Sequence, residues 1–431
     1  MICARYMHPA DQICFIMKRI YDQGLTTLTG GNLSIKDADG VMWVSPTGID
    51  KSSLTGEDIV RVYPDGRIEG KHRPTSEYRI HKRIYEERPE IKAIVHAHPP
   101  ALVAMSAAHL TPEPTLTVGT YKAFAKVGLA EYAMAGTLKL VDCVAAVFNK
   151  GYNAAVLKNH AAFLGSTADL FDACRRFEQM DFAARMQMNA WALGEIQPAD
   201  EALVRQFKIA AAQNKDSGSL EIKDYRPAEL AMRGELAAVT KRAYKKELFT
   251  GMEGTISGRV SNSAFVISPE EKDNACLAEE DFVHVESGRY ELGKTPDCAY
   301  PLHQAIYEKH PNINAIVTAA PVAAGAYAVC DKRFDVTIIP ESYGVLRDTV
   351  RLTIKQFTTE AETVASCFDK DLPLCIVENF GLLMAGPTPV LAFDKLEVAE
   401  STAKSLQMAH ISGRKIVSMT KEQQIEADKL G

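Results

Sequence analysis

AIVHAHPP (residues 93–100) occurs a second time in this chain as AIVTAAPV (residues 315–322), with both histidines gone. The match extends in both directions, to RPTSEYRIH (73–81) against TPDCAYPLH (295–303) and AAVLKNHAAFLG (154–165) against LCIVENFGLLMA (374–385). Self-similarity on this scale indicates a duplicated structural unit. The sequence therefore predicts two copies of one domain, of which only the first carries the histidines.

The chain of 431 residues is long enough for two domains of ordinary size. We place the division in DSGSLEIKDYRP (216–227), which has the composition of a linker, so the predicted domains are residues 1–216 and 217–431. Helical stripes and strand-like runs alternate irregularly, which predicts a layered α/β or α+β domain. The predicted helices of the first copy are 10–23, 75–87, 99–108 and 168–192, and its predicted strands are 41–45, 93–98 and 154–159.

The overall composition argues against several classes of function. The formal net charge is −6, from 49 basic and 55 acidic residues, so no nucleic-acid or membrane partner is expected. The uncharged stretch 315–330 contains a proline and is too short to cross a membrane comfortably. The nine cysteines form no CxxC motif, and the N-terminal residues have the periodicity of a helix rather than of a signal peptide. This pattern predicts a cytoplasmic protein with reduced thiols.

The histidines of the first copy suit a metal site. Side chains on a strand alternate between its two faces, so His96 and His98 can point at one metal ion, as zinc with nitrogen ligands requires. The pair alone is equally compatible with a polar strand end, but His160 follows another apolar run and is a candidate third ligand. The second copy has Thr318, Ala320 and Phe380 at the three positions. Joint loss within a retained apolar framework favours ligands of one metal over three packing residues.

A carboxylate accompanies the histidines. Glu77 in PTSEY becomes Ala299 in PDCAY of the second copy. A carboxylate beside a histidine-bound metal can act as a further ligand or as a general base. The alternative is an acidic residue at the start of a helix, where the helix dipole favours it. The loss of Glu77 together with the histidines favours the functional interpretation.

Three glycine- and hydroxyl-rich turns are candidates for binding a phosphate, TGGNLS (29–34), SPTG (45–48) and PTSE (74–77). Such turns present backbone N–H groups and small hydroxyls, and a helix start after the third turn would add the positive end of its dipole. In the second copy SPTG becomes SPEE, and aligning SGRVS (257–261) with GGNLS puts Arg259 opposite Asn32. We therefore expect the second copy to have lost this site as well.

Taken in order, GNLS, SPTGID, PTSEYRIH, AIVHAHPP and NHAAFLG resemble the motifs of the class II aldolase/adducin family. The resemblance covers most of residues 9–195 with strong motifs and residues 227–415 in framework only. It implies a three-layer α/β/α domain, duplicated in tandem. It also implies that zinc, with manganese or cobalt as alternatives, is bound by His96, His98 and His160.

The resemblance also implies roles for the other candidate residues. Glu77 matches the carboxylate that moves protons in the aldolases of the family, and glutamate at this position favours aldolase over epimerase chemistry. Tyr121, with its repeat partner Tyr343, is the nearest candidate for the catalytic tyrosine that some aldolases contribute across a subunit interface. The residues at the positions that grip the substrate phosphate are Gly31, Asn32, Thr47, Gly48, Thr75 and Ser76.

From this resemblance we expect a zinc-dependent aldolase, a lyase that cleaves a phosphorylated ketose such as a ketose 1-phosphate through a metal-stabilised enediolate. The alternatives are a metal-dependent decarboxylase or 4-epimerase of the same family, and a non-catalytic scaffold like adducin. The partner would be a small sugar phosphate. Family enzymes form four-fold rings, so we expect a homo-oligomer and favour a homodimer. Its four domains would form a pseudo-tetramer, in which two domains bind metal and are catalytic and two bind no metal.

Overall fold

The described residues of this computed structural model are 7–202, 204, 218–222, 224–369, 371 and 373–429. The chain divides into two units, Met1–Pro114 with Thr120–Arg185, and Thr115–Gly119 with Met186–Gly431. The predicted division near residue 217 lies outside the described residues, so the domain bounds 1–216 and 217–431 stay a prediction. No helix in the described part is both long enough and apolar enough to span a membrane.

A single mixed sheet with surrounding helices forms the first copy. Its strands are β1 (Asn32–Lys36), β2 (Met42–Val44), β3 (Val60–Val62), β4 (Ile68–Glu69), β5 (Ala93–Ala97), β6 (Val127–Ala130), β7 (Ala154–Leu157) and β8 (Ala162–Ser166). Its helices are α1 (Pro9–Asp22), α2 (Tyr78–Glu87), α3 (Pro100–Ala107), α4 (Val118–Phe124), α5 (Leu138–Asn149) and α6 (Leu170–Leu193), with a 3₁₀ turn at Gly56–Asp58. The strand order is β4-β3-β2-β1-β5-β8-β7-β6.

The strand β5, which carries the histidine pair, lies inside this sheet. All five of its residues are buried, in keeping with a short continuous apolar run rather than an alternating one. It pairs antiparallel with β1, where Asn32 lies opposite His96, and with β8, where Phe163 lies opposite His96. Pro100 then begins α3, since proline suits the first turn of a helix. The sheet register thus places Asn32 beside a predicted metal ligand.

The second copy repeats this arrangement. Its strands are β9 (Ser219–Leu220), β10 (Thr255–Arg259), β11 (Ala264–Ile267), β12 (Val283–Glu286), β13 (Arg289–Glu291), β14 (Ala315–Ala319), β15 (Thr349–Leu352), β16 (Leu374–Val377) and β17 (Gly381–Gly386). Its helices are α7 (Pro227–Lys245), α8 (Tyr300–Lys309), α9 (Val322–Gly325), α10 (Pro340–Leu346), α11 (Ile354–Thr359), α12 (Ala361–Ala365), α13 (Pro389–Ile411) and α14 (Lys421–Asp428), with 3₁₀ turns at Asn274–Cys276, Glu279–Asp281 and Ala326–Ala328. The strand order β15-β16-β17-β14-β10-β11-β12-β13-β9 is that of the first sheet with β9 added at one edge. The predicted duplication is confirmed.

Helices cover both faces of the second sheet. Neighbouring residues of β14 belong to different cores: Val317 packs with residues of α7 and α13, whereas Ile316 packs with residues of α8 and α12. In the first copy, Ile94 of β5 packs in a core with residues of α2 and α5, and α1 packs against β1 and β2. Each copy is therefore a three-layer α/β/α domain.

Candidate metal centre

Three histidines from two segments of the first copy meet at one point. His96 lies on β5, His98 follows the end of that strand, and His160 occupies the turn between β7 and β8. One ligand nitrogen from each ring lies within 4.8 Å of the other two, and the Nε2 atoms of His96 and His98 are 3.0 Å apart. The structure brings together the three residues that the sequence predicts as metal ligands.

Local contacts orient these rings. His96 Nδ1 lies 2.9 Å from the carbonyl oxygen of Ala162. Because a carbonyl only accepts, Nδ1 carries a proton, so Nε2 presents a lone pair in the neutral form of the ring, the form in which a histidine binds a metal. The ring of Phe163 stacks on His96 with the centroids 4.0 Å apart. The backbone N–H of His160 donates to Ser106 Oγ at 2.7 Å, which holds the turn that carries the third ring.

Glu77 faces the histidines from the N-terminus of α2. Its Oε2 lies 3.1 Å from His96 Nε2, and its Oε1 lies 3.5 Å from His160 Nε2. The side chain is buried, and Asn32 Nδ2 donates to Oε2 at 2.9 Å. Burial disfavours the charged carboxylate, but the positive charge that His96 and His160 carry when protonated, together with the hydrogen bond from Asn32, outweighs it and holds the pKa of Glu77 well below its usual value. The carboxylate is therefore ionised at neutral pH.

This arrangement fits a bound cation. The Nε2 lone pair of His96 faces both His98 Nε2 and a Glu77 oxygen, and Glu77 Oε1 is buried without a hydrogen-bond partner. Atoms bearing lone pairs repel at these distances unless a proton or a metal ion lies between them. Burial lowers the pKa of His98 to about 4 and also lowers that of His160, so both rings are neutral at pH 7. Imidazoles beside one carboxylate form a donor set that suits a divalent transition metal.

The sequence as a whole decides the family. The chain matches the family described as Class II Aldolase and Adducin N-terminal domain over residues 11–188 and again over residues 234–406. The chain belongs to this family. The first matched segment contains the whole first sheet, and the second contains every strand of the second sheet except β9, so both copies of the repeat are class II aldolase/adducin domains.

Shorter relatives correspond to one half of this tandem chain. The L-fuculose phosphate aldolase of Methanocaldococcus jannaschii is 32% identical over 179 residues, 41% of this chain and 94% of that protein. The 5-deoxy-D-ribulose 1-phosphate aldolase of Bacillus thuringiensis serovar kurstaki is 32% identical over 198 residues, 44% of this chain and 90% of that protein. Among solved structures, an L-fuculose 1-phosphate aldolase is similar with 28% identity and a TM-score of 0.43, covering 48% of this chain and 95% of that one.

Two of the turns predicted to bind phosphate in the first class II aldolase domain are adjacent. The SPTG turn (45–48) is joined to the PTSE turn (74–77) by an antiparallel bridge at their prolines. The backbone N–H groups of Thr47 and Thr75 donate to carbonyl oxygens across this junction, each at 3.1 Å. Of the predicted phosphate-binding residues in these turns, Thr47, Gly48 and Ser76 are exposed and Thr75 is buried. Their phosphate contacts stay a prediction.

The third turn, TGGNLS, is packed against β5. Gly31 has a φ of +69°, and a Cβ atom there would lie 2.9 Å from the carbonyl oxygen of His96, so the close approach requires glycine. The next residue, Asn32, is buried, and its amide is engaged on both sides, by Glu77 Oε2 and, at 2.6 Å, by His81 Nε2. The Asn32 side chain thus binds Glu77, a contact that the sequence did not predict. The predicted contact of Asn32 with phosphate stays a prediction.

Lys51 is a further residue of this region that sequence reasoning missed. Its side chain is buried, and Nζ donates to the carbonyl oxygen of Pro46 in the SPTG turn at 2.5 Å. Burial lowers the pKa of Lys51 to about 8. The signal that could have found it is SPTGIDK, in which a lysine closely follows the glycine turn.

The predicted catalytic tyrosine is buried within the chain. Tyr121 lies on α4 and is only 8% exposed. Its repeat partner Tyr343 lies on α10, where its hydroxyl donates to Asp428 Oδ2 at 3.0 Å. A catalytic role of Tyr121 stays a prediction.

The sheet register corrects one alignment between the two copies. Asn32 is paired with His96 in the first sheet, and Thr255 is paired with Thr318 in the second. Thr255 therefore occupies the position of Asn32, and the alignment of Arg259 with Asn32 is wrong. The error comes from matching the glycines of the two segments, because the glycine lies in a turn in the first copy and inside β10 in the second.

The other residues that replace the side chains of the candidate metal centre occupy the positions that the sequence alignment predicts. Ala299 precedes α8 as Glu77 precedes α2. The backbone N–H of Phe380 donates to Val377 O as that of His160 donates to Leu157 O. The residues in place of the metal-centre side chains are Thr318, Ala320, Phe380 and Ala299. The second domain thus keeps the backbone of the centre without its imidazoles and carboxylate.

Proposed function

We propose that the first domain is a zinc-dependent aldolase, a lyase that cleaves a phosphorylated ketose by retro-aldol chemistry. The observation that carries the proposal is the convergence of His96, His98 and His160 beside an ionised, buried Glu77. Family membership and the named activities of the relatives support the reaction class.

The proposed roles follow from the positions of the side chains. His96, His98 and His160 would hold the zinc, which when bound polarises a carbonyl oxygen and stabilises the negative charge that develops on it. Glu77 would accept and return a proton, because Oε1 has no hydrogen-bond partner and faces the imidazoles. The adjacent turns 45–48 and 74–77 would bind the phosphate through backbone N–H groups and hydroxyls.

The second domain is proposed to be non-catalytic. It keeps the apolar framework of the sheet while the positions of the metal centre have been replaced. Two chains associated as a homodimer would supply four domains in a pseudo-tetramer, so that the second domain completes an oligomer rather than a second active centre. Light scattering on the active protein tests this, and a fully active monomer would contradict it.

The protein is proposed to be located in the cytoplasm. Eight cysteines in the described residues are free thiols, which supports a reducing compartment. Immunodetection after fractionation of the source cells tests this proposal, and recovery in a secreted fraction would overturn it.

Metal analysis and product analysis together test the proposed function. Protein purified without added metal should contain about one zinc per chain, and the double variant His96→Ala/His98→Ala should contain almost none. Thr318→Ala, at the corresponding position of the second domain, is the matched control and should leave the zinc content unchanged. The wild-type protein should then release dihydroxyacetone phosphate and an aldehyde from one member of a ketose 1-phosphate panel.

Other outcomes of the same experiment separate the rival functions. Release of carbon dioxide from a sugar-acid phosphate would identify the protein as a decarboxylase rather than an aldolase. Conversion of one pentose phosphate into its epimer would identify it as an epimerase. Absence of zinc that persists after titration with the metal would overturn the metal centre and support a non-catalytic scaffold. Two zinc ions per chain would overturn the proposal that the second domain lacks a site.

A further inference from the structure

A series of buried hydrogen bonds, called here the positioning chain, ends at Glu77. Tyr85 OH lies 2.7 Å from Ser34 Oγ, and Ser34 Oγ lies 2.6 Å from His81 Nδ1. On the other side of the ring, His81 Nε2 lies 2.6 Å from Asn32 Oδ1, and Asn32 Nδ2 donates to Glu77 Oε2 at 2.9 Å. All five side chains are buried.

The chemistry of the end group determines the direction of this chain. An ionised carboxylate only accepts, so Asn32 must present its NH₂ group to Glu77 and its Oδ1 to His81. An amide oxygen also only accepts, so His81 carries its proton on Nε2. His81 Nδ1 then accepts from the Ser34 hydroxyl, and Ser34 Oγ accepts from Tyr85. Every donor therefore points toward Glu77.

Comparison with the second domain shows which of these hydrogen bonds are present in both domains and which occur only beside the candidate metal centre. Ser257 Oγ lies 2.7 Å from Tyr307 OH and 2.8 Å from His303 Nδ1, which repeats the first three members. At the position of Asn32 the second domain has Thr255, and His303 Nε2 is buried without a hydrogen-bond partner. The tyrosine, serine and histidine are thus kept without an active centre, and only the first domain connects them to a carboxylate.

We propose that His81 is a positioning residue that fixes the orientation of the Asn32 amide and, through it, the Glu77 carboxylate. If the amide turned over, its oxygen would face the carboxylate oxygen and its NH₂ group would face the Nε2–H of His81. Both contacts are repulsive, so the histidine tautomer locks the amide in one orientation. With Oε2 held in this way, Oε1 stays directed at the imidazoles. The inference rests on the proposed role of Glu77 as the proton-transfer group.

Two substitutions of His81 separate positioning from a structural role. The amide oxygen of asparagine in His81→Asn reaches the level of Nδ1, so it can accept from Ser34 but cannot reach Asn32. The amide nitrogen of glutamine in His81→Gln reaches the level of Nε2, so it can donate to Asn32. His303→Asn and His303→Gln make the same changes in the second domain, where Nε2 has no partner to lose.

The first readout is kinetic. For the ketose phosphate that the wild-type protein cleaves, His81→Asn should lower kcat about 10–100-fold with little change in KM, as is usual for groups that orient a metal-site residue. His81→Gln should stay within a few-fold of wild type, and neither His303 variant should change kcat. Equal losses in both His81 variants, or equal losses in His81→Asn and His303→Asn, would overturn the proposal.

The second readout is spectroscopic and uses cobalt as the probe. Cobalt(II) in the metal-depleted protein should give a visible absorption spectrum that changes in His81→Asn and not in His81→Gln or either His303 variant. An unchanged spectrum in His81→Asn would overturn the proposal, because a displaced Glu77 alters the surroundings of the metal. Thermal unfolding of all four variants shows whether a loss of fold accounts for any effect.

The third readout does not depend on metal or activity. In protein with ¹⁵N-labelled histidine, long-range proton–nitrogen spectra of the metal-free chain should show His81 as the Nε2–H tautomer. The Nδ1–H tautomer would overturn the positioning chain even in an active enzyme. Conversely, the Nε2–H tautomer in a protein that binds neither zinc nor cobalt would leave the positioning chain intact and refute the proposed function alone.

Discussion

Glu77 Oε2 lies 3.1 Å from His96 Nε2, although the two residues belong to different elements. Glu77 stands at the start of α2, and His96 stands on β5, beyond the far end of that helix in sequence. Asn32, opposite His96 on the neighbouring strand β1, completes the contact by donating to the same carboxylate oxygen. A helix start, a buried strand and its pairing partner thus place a negative charge beside a ring nitrogen that presents a lone pair.

Replacing the carboxylate tests its role in proton transfer. Glu77→Gln keeps the shape of the side chain but removes its capacity to accept a proton, so we expect kcat to fall by about 10²–10⁴-fold. The zinc content should stay near that of wild type, because the three histidines remain. Steady-state kinetics and metal analysis measure both quantities. Glu86→Gln, an exposed change on the same helix, is the control, and comparable activity of Glu77→Gln and wild type would contradict the role.

Ser106 is expected to position the third ligand. Its hydroxyl donates to the carbonyl oxygen of Leu157 at 2.5 Å and accepts from the backbone N–H of His160 at 2.7 Å. Ser106→Ala should therefore loosen the turn and weaken zinc binding by about 10–100-fold. Competition with a metal-binding dye measures the affinity. The corresponding residue of the second domain is Ala328, so Ala328→Ser is the matched control and should leave the affinity unchanged, whereas an unaffected Ser106→Ala protein would refute the prediction.

Lys51 is expected to support the phosphate turn. Its buried Nζ contacts the carbonyl oxygen of Pro46, so its positive charge lies beside the SPTG turn, which is part of the proposed anion site. Lys51→Met should weaken competitive inhibition by inorganic phosphate roughly tenfold, because a nearby buried charge attracts an anion more strongly than an exposed one. The exposed Lys71→Met variant removes the same charge from the surface and should have little effect. Equal inhibition constants for the two variants would show that burial of Lys51 does not matter.

The same lysine predicts a pH dependence of stability. Burial lowers the pKa of Lys51 from 10.5 to about 8 in the folded state. Between these two values the unfolded chain binds more protons at this site than the folded chain does, so the contribution of Lys51 to the free energy of unfolding rises as the pH increases from about 8 to 10.5. Urea unfolding of wild type and Lys51→Met at both ends of this window measures it. A difference between the two proteins that stays constant with pH would contradict the low pKa.

The sequence by itself determined the repeat and the regular elements with strong periodicity. The predicted helices 10–23, 99–108 and 168–192 correspond to α1, α3 and α6, and the predicted strands 93–98 and 154–159 correspond to β5 and β7. These segments carry a continuous apolar run or a helical stripe, which neighbouring residues alone specify. The spacing of His96 and His98 likewise follows from the geometry of one strand.

Other elements were not predicted because their local signals are weak. β8 (Ala162–Ser166) consists mainly of small residues that also suit a turn, and it is a strand because it pairs with β5 and β7. Pairing between strands likewise determines that Thr255, and not Arg259, lies opposite Thr318. Sequence alignment cannot determine such a register when glycines match in more than one frame.

Only the tertiary structure decided how the site is assembled. The sequence grouped Glu77 with the histidines through their joint loss in the second copy, but the distance from Glu77 to His96, the direction of the Asn32 amide and the burial of Lys51 depend on packing between segments far apart in the chain. Periodicity specifies which face of an element is buried, because that property is local. The contacts among side chains from different elements are fixed only when those elements pack together, and for this reason the sequence named the candidate metal ligands but not the hydrogen-bond chain that ends at Glu77.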